Sequence, residues 1–128
     1  MEILAKFITP GMILVLTIVS GFWLSHTAKP LNTAIITIHK LFALAAVIFI
    51  VIQLRNQLLS MSVQSSIILF LVLGGLSVLA LFASGALMSM AKMDYNLMHT
   101  VHSVGTGLLV ISLAAAIYFL NELKAISG

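Results

Sequence analysis

Four stretches of this chain are long, apolar and almost without charge, and they limit what it can fold into. Residues 7–24 and 67–87 carry no charged side chain. Residues 31–54 are interrupted only by His39 and Lys40, and residues 95–120 only by His99 and His102. Each run is close to or above the roughly 18–20 residues a helix needs to cross a hydrocarbon core. The chain is 62% hydrophobic and 7% charged, whereas a water-soluble domain is usually about a quarter charged. A segment in lipid must satisfy its own backbone N–H and C=O groups, so segments of this kind are helices.

The 128 residues read as a single transmembrane domain, 1–128, of the all-α class, a four-transmembrane-helix up-down-up-down bundle. Polar and helix-breaking residues place the helices at about 7–25, 33–53, 67–88 and 95–121. Pro10 is tolerable in a first turn, and Pro30 stops the first helix. Arg55, Asn56, Gln57 and the serines at 60, 62, 65 and 66 mark a central loop, with part of it open to a helical reading. Short links make sequential helices antiparallel neighbours. The first helix follows Lys6 in the manner of a signal peptide, but His26 and Lys29 stand where a small-residue cleavage site belongs, so it is expected to remain.

The net charge of +3 does not imply nucleic acid as a partner. Lys6, Lys29, Lys40, Arg55, Lys92 and Lys124 are scattered singly near helix ends, where they meet lipid headgroups. Three fall on each side of the expected bundle, so the positive-inside rule does not orient it. The chain has no cysteine, which excludes disulfides, thiolate-held clusters and covalently attached c-type haem.

The two halves also read alike. A shift of 63 superposes Thr37 on Thr100, His39 on His102, Val47 on Val110 and Ile48 on Ile111. A shift of 64 superposes Ser20 on Ser84, Gly21 on Gly85 and Ser25 on Ser89. Each half is then a helical hairpin with Ser-Gly late in one helix and a histidine early in the next, a parallel repeat.

A histidine inside a membrane helix is costly and by default marks a site. His39 and His102 are expected about 9–10 Å below one membrane face, on helices running the same way. Matched imidazoles at one depth suit the two axial positions of a haem iron. Gly21 and Gly85 would let a flat macrocycle approach the backbone, as would Gly105 and Ala43, which share a face with the histidines. Lys40, with Lys29 and Lys92 on the same side, would meet the propionates, or else lipid headgroups. Trp23 and Tyr95 fit an interfacial aromatic belt. His99 lies one turn before His102 and is the rival ligand on that helix, or a partner for a propionate or a proton. The repeat favours His102, since Ile36 stands opposite His99. His26 is expected in a solvated turn. Gly74 and Gly75 read as helix-packing residues.

With these histidines, the chain resembles the small four-helix membrane b-type cytochromes of the ascorbate- and quinol-linked superfamily. The likeness spans residues 7–121 and carries over His39 and His102 as axial ligands. It implies one haem b per chain, bis-histidine ligation and one-electron transport, with a quinol or a partner redox protein exchanging electrons. The chain departs from members with two histidine pairs, because its four histidines lie towards one face. That departure points to one haem near one face and away from electron transfer right across the membrane by this chain alone. The expected role is an oxidoreductase or electron-transfer subunit, multi-pass in the cell (inner) membrane, with a second copy of the chain as a further partner.

Two other readings compete. Met88, Met90, Met93 and Met98 stand beside His99 and His102, and thioether with imidazole suits copper(I) binding or transport. Copper leaves His39 and the repeat unexplained. Alternatively, the histidines of a non-catalytic subunit or small transporter could relay protons.

Overall fold

Pro10 determines how the first helix begins. It has no N–H, and its ring would clash with the carbonyl of Lys6 if one helix ran through both. The chain therefore breaks at Phe7, separating a short helix α1, Glu2–Lys6, from α2, Ile8–His26. Pro10 falls in the first turn of α2, where its N–H would have had no partner anyway. The break was not expected from the apolar pattern, nor was α1, whose Lys6 and Glu2 pair at 3.7 Å. The structure, a computed structural model, describes residues 2–27, 32–90 and 93–128. Three further helices follow: α3, Thr33–Leu58; α4, Ser65–Met90; and α5, Tyr95–Ser127.

Helices α2 to α5 are each long and apolar enough to cross a membrane, and the described residues contain no strand. The class is all-α, and the chain is a multi-pass membrane protein by the length and composition of its helices. Several helices outrun the expected bounds. α3 continues from residue 53 to Leu58, and α5 from residue 121 to Ser127. Gln57, Glu122 and Lys124 mark the exit from lipid, but they are good helix formers and do not end the helix. At 33 residues, α5 is about 50 Å long, well beyond a hydrocarbon core of about 30 Å. His26 also differs from expectation: it lies in the last turn of α2, and the chain leaves the helix at Thr27.

The chain divides into two compact units, Met1–Met61 and Ser62–Gly128, where the sequence was read as one four-helix domain. In the first, α2 packs along α3. Ile3, Phe7, Pro10, Thr17, Ala46, Ile50 and Gln57 are its buried residues. Asn32 caps α3, its side-chain oxygen accepting the Ala34 N–H at 2.9 Å.

The second unit is an antiparallel pair. Ser84 meets His102, Leu81 lies against Gly105, Gly74 faces Ser112, and Phe70 stacks on Phe119. Each step back along α4 is thus a step forward along α5. Asp94 caps α5 by accepting from the N–H groups of Asn96 and Leu97, at 2.8 and 3.2 Å. The seam is lined by small residues, among them Ser77, Ser84, Gly105, Ser112 and Ala116. Close approach of small residues is how helices pack where hydrophobic burial gives no drive. Gly74 has the packing role expected of it: a Cβ there would sit 3.7 Å from that of Ser112. At Gly75 a Cβ would meet nothing within 4 Å.

Large apolar side chains such as Phe22, Leu79 and Ile111 point outwards and are about two-thirds exposed. On a soluble protein this would be a severe liability, whereas in a bilayer it is the solvated surface. The repeat extends to burial. Ile3 and Ile67, 64 apart, are both fully buried, and Ala46 and Leu109, like Gln57 and Leu120, are buried pairs 63 apart.

Candidate functional site

His39 lies six residues beyond the start of α3, and packing brings it against the last third of α2. Its Nδ1 lies 3.0 Å from the Thr17 carbonyl oxygen and 3.0 Å from Ser20 Oγ. A carbonyl can only accept, so Nδ1 must carry the proton and donate it. Ser20 Oγ–H in turn donates to the same Thr17 carbonyl at 2.9 Å, leaving an oxygen lone pair towards the ring. In the neutral imidazole the basic lone pair therefore resides on Nε2. This is the tautomer of a metal-ligating histidine whose other nitrogen is held by an oxygen acceptor.

Gly21 follows Ser20 and lies directly against this ring. A Cβ at Gly21 would stand 2.9 Å from His39 Cε1 and 3.4 Å from Nδ1. The space that the sequence reading assigned to a macrocycle is thus taken by the imidazole itself. The glycine admits the ligand's ring to the α2 backbone.

The second hairpin repeats the arrangement. Ser84, buried at the α4–α5 seam, holds His102 Nδ1 at 2.9 Å, and its hydroxyl donates to the Leu81 carbonyl at 3.2 Å. The Ser84 hydroxyl has one hydrogen for these two neighbours, and its donation to Leu81 leaves a lone pair for an Nδ1–H of the ring. Gly85 again lies beside the ring, a little further away: a Cβ there would be 3.5 Å from His102 Cε1. Serine, glycine and histidine therefore come together twice, at the positions superposed by shifts of 64 and 63.

The same bonds argue against nucleophilic catalysis. A serine activated by histidine must give its proton to the ring. Here the Thr17 carbonyl fixes the opposite polarity at His39, so Ser20 is an acceptor for the ring.

The remaining candidates are distributed as follows. His99 is half-buried and stacks on Tyr95 of its own helix, centroids 5.8 Å apart. His102, and not His99, occupies the setting that matches His39. His26 is exposed against Phe22, and its Nδ1 lies 2.9 Å from the Phe22 carbonyl. Lys40 is exposed on α3 beside His39. Lys29 and Lys92 lie outside the described residues. Gly105 is buried, and a Cβ there would meet Leu81 at 3.4 Å, so its place is the α4–α5 contact. Ala43 is half-buried on α3. Met98 is buried, whereas Met90 and Met93 are about half exposed. Among the described residues, no three histidine or acidic side chains gather as a metal-ion group.

Sequence reasoning did not identify Ser20, Ser84 or the Thr17 carbonyl as partners of the histidines. The Ser-Gly recurrence was the available signal, but attention fell on the glycines. The nearby hydroxyls of Thr37 and Thr100 instead donate to the carbonyls of Thr33 and Asn96 on their own helices, at 2.8 and 2.9 Å.

No protein family, curated protein or solved structure matches this chain. A functional reading therefore rests on the residues and their geometry.

Proposed function

We propose that this chain is a membrane b-type cytochrome of the cell (inner) membrane that binds one haem b and transfers single electrons. His39 and His102 would hold the haem iron through their imidazole nitrogens. The observation that carries the reading is the pair of matched imidazoles, each with Nδ1 tied to a serine hydroxyl inside a membrane helix. A donor set of two neutral imidazoles with Nε2 as the basic nitrogen fits haem iron. It fits copper(I) less well, since that metal favours sulfur ligands and the histidine pair supplies none.

The haem would supply the one-electron redox chemistry. The residues of this chain bind it, fix the ring orientation of its ligands and surround it with apolar helices. Two histidine ligands would leave the iron no open position for oxygen, which favours electron transfer over oxygenation. Lys40, exposed beside His39 with a long flexible stem, is placed to approach a propionate. A quinol or a partner redox protein is the proposed exchange partner.

The test is an absorption spectrum of the detergent-purified protein, oxidised and dithionite-reduced. A low-spin Soret band that shifts on reduction, with sharp visible bands, is expected. A colourless protein carrying stoichiometric copper overturns the reading.

A further inference from the structure

We propose that Ser20 and Ser84 are positioning residues for the two ligands, each fixing the facing imidazole as the Nδ1–H tautomer so that Nε2 is the nitrogen offered to iron. This rests on the haem reading above and extends it to residues that touch neither iron nor porphyrin.

A serine hydroxyl has one hydrogen and two acceptor lone pairs. If its hydrogen pointed at the ring, Nδ1 would be the acceptor. The ring proton would then sit on Nε2, blocking ligation there. Ser20 instead donates that hydrogen to Thr17 on its own helix, and Ser84 has the Leu81 carbonyl as the corresponding acceptor. With the hydrogen so placed, an oxygen lone pair faces each ring nitrogen, at 3.0 and 2.9 Å. The Thr17 carbonyl adds an acceptor of fixed polarity on His39 Nδ1. The same device is built twice, in hairpins whose remaining sequence has diverged widely, and on the helix that does not carry the ligand. Helix packing alone needs a small residue at these positions, and glycine or alanine would serve. It does not need a hydroxyl aimed at a ring nitrogen.

The consequence concerns the ligand's electron donation. An oxygen acceptor on Nδ1–H increases the basicity of Nε2 and orients the ring. A stronger donor stabilises the oxidised iron more than the reduced, so the serines hold the midpoint potential down.

The experiment uses the full chain in detergent with ¹⁵N-labelled histidine. In the haem-free protein, nitrogen chemical shifts should report Nδ1–H rings for His39 and His102, assigned by single His→Ala variants. The S20A/S84A variant should keep its helical circular dichroism. It should give mixed tautomers at His102, while the Thr17 carbonyl still holds His39 as Nδ1–H, bind haem ten- to a hundredfold more weakly and show a raised midpoint potential. Nε2–H rings in the unsubstituted protein would overturn the proposal, and this measurement needs no variant to fold. So would an S20A/S84A protein with unchanged tautomers, affinity and potential. If the unsubstituted protein takes up no haem, the cytochrome reading fails. In that case the haem-free tautomers still decide, separately, whether the serines set the ring proton.

Discussion

Gly21 lies so close beneath the His39 imidazole that a Cβ there would stand 2.9 Å from Cε1. Contacts that short do not occur between real side chains, so the ring and any larger residue exclude one another. In the second hairpin the equivalent separation, Gly85 to His102, is 3.5 Å, an ordinary contact. The two halves share one design with different clearances, and the difference can be tested.

Gly21→Ala should displace the His39 ring from Ser20 and Thr17, at an overpacking cost of about 1–3 kcal/mol. Gly85→Ala should be accommodated with little change. The readout is haem content and the low-spin spectrum after purification. Loss is expected for Gly21→Ala and near-normal loading for Gly85→Ala. Equal behaviour of the two would mean that ring clearance is not what the glycines provide.

The choice of ligand on α5 leads to a second prediction. His39→Ala and His102→Ala should each abolish the six-coordinate signal. His99→Ala should leave it in place, because His99 stacks on Tyr95 and lacks the serine–glycine setting shared by the other two. Electron paramagnetic resonance of the oxidised protein separates these cases. A six-coordinate species that survives His102→Ala but vanishes in His99→Ala would reassign the ligand.

The membrane class and the number of long helices were legible because charge avoidance over some twenty residues has few other causes. Helix ends were less legible. Gln57 and Lys124 are polar, which signals departure from lipid, yet their backbones continue the helix. The site was half legible. A histidine in an apolar run stands out by its desolvation cost, and the repeat paired His39 with His102. The serines were hidden because serine is common in membrane helices as a small packing residue, and only the fold shows which nitrogen a hydroxyl meets. The glycines were recognised but assigned to the wrong neighbour. Small residues record that something lies close by without recording what it is.

The threonines of the two Thr-x-His stretches should be dispensable. Thr37 and Thr100 each donate to the carbonyl four residues back, at 2.8 and 2.9 Å, so they are satisfied within their own helix. Thr37→Val and Thr100→Val keep the shape and should leave haem content and midpoint potential within error of the parent protein. A shift comparable to that of S20A/S84A would show that the hydroxyl nearest in sequence tunes the ligand.

Asp94 anchors the start of the helix that carries His102. Its carboxylate accepts from two N–H groups of the first turn of α5, and a carboxylate at a helix N-terminus also meets the positive end of the helix dipole. Asp94→Ala should cost about 1 kcal/mol, read as a lower melting temperature in detergent. Asp94→Asn should recover most of it, since the amide oxygen can still accept. An unchanged Asp94→Ala protein would place the stability of α5 wholly in its packing against α4.

That packing is close one turn beyond His102. Gly105 is buried, and a Cβ there would lie 3.4 Å from both Cγ and Cδ2 of Leu81. Two residues on, Gly107 is exposed, and a Cβ there would meet nothing within 4 Å. Gly105→Leu must therefore push α5 away from α4, at about 1–3 kcal/mol. Because Ser84 and His102 sit on the same seam, the displacement should also lengthen their hydrogen bond. Gly107→Leu adds the same side chain to the same helix, facing outwards, and should be tolerated. Thermal melting and haem content should fall together for Gly105→Leu and stay at parental values for Gly107→Leu. Melting lowered with haem content unchanged would show that ligand geometry is independent of the seam.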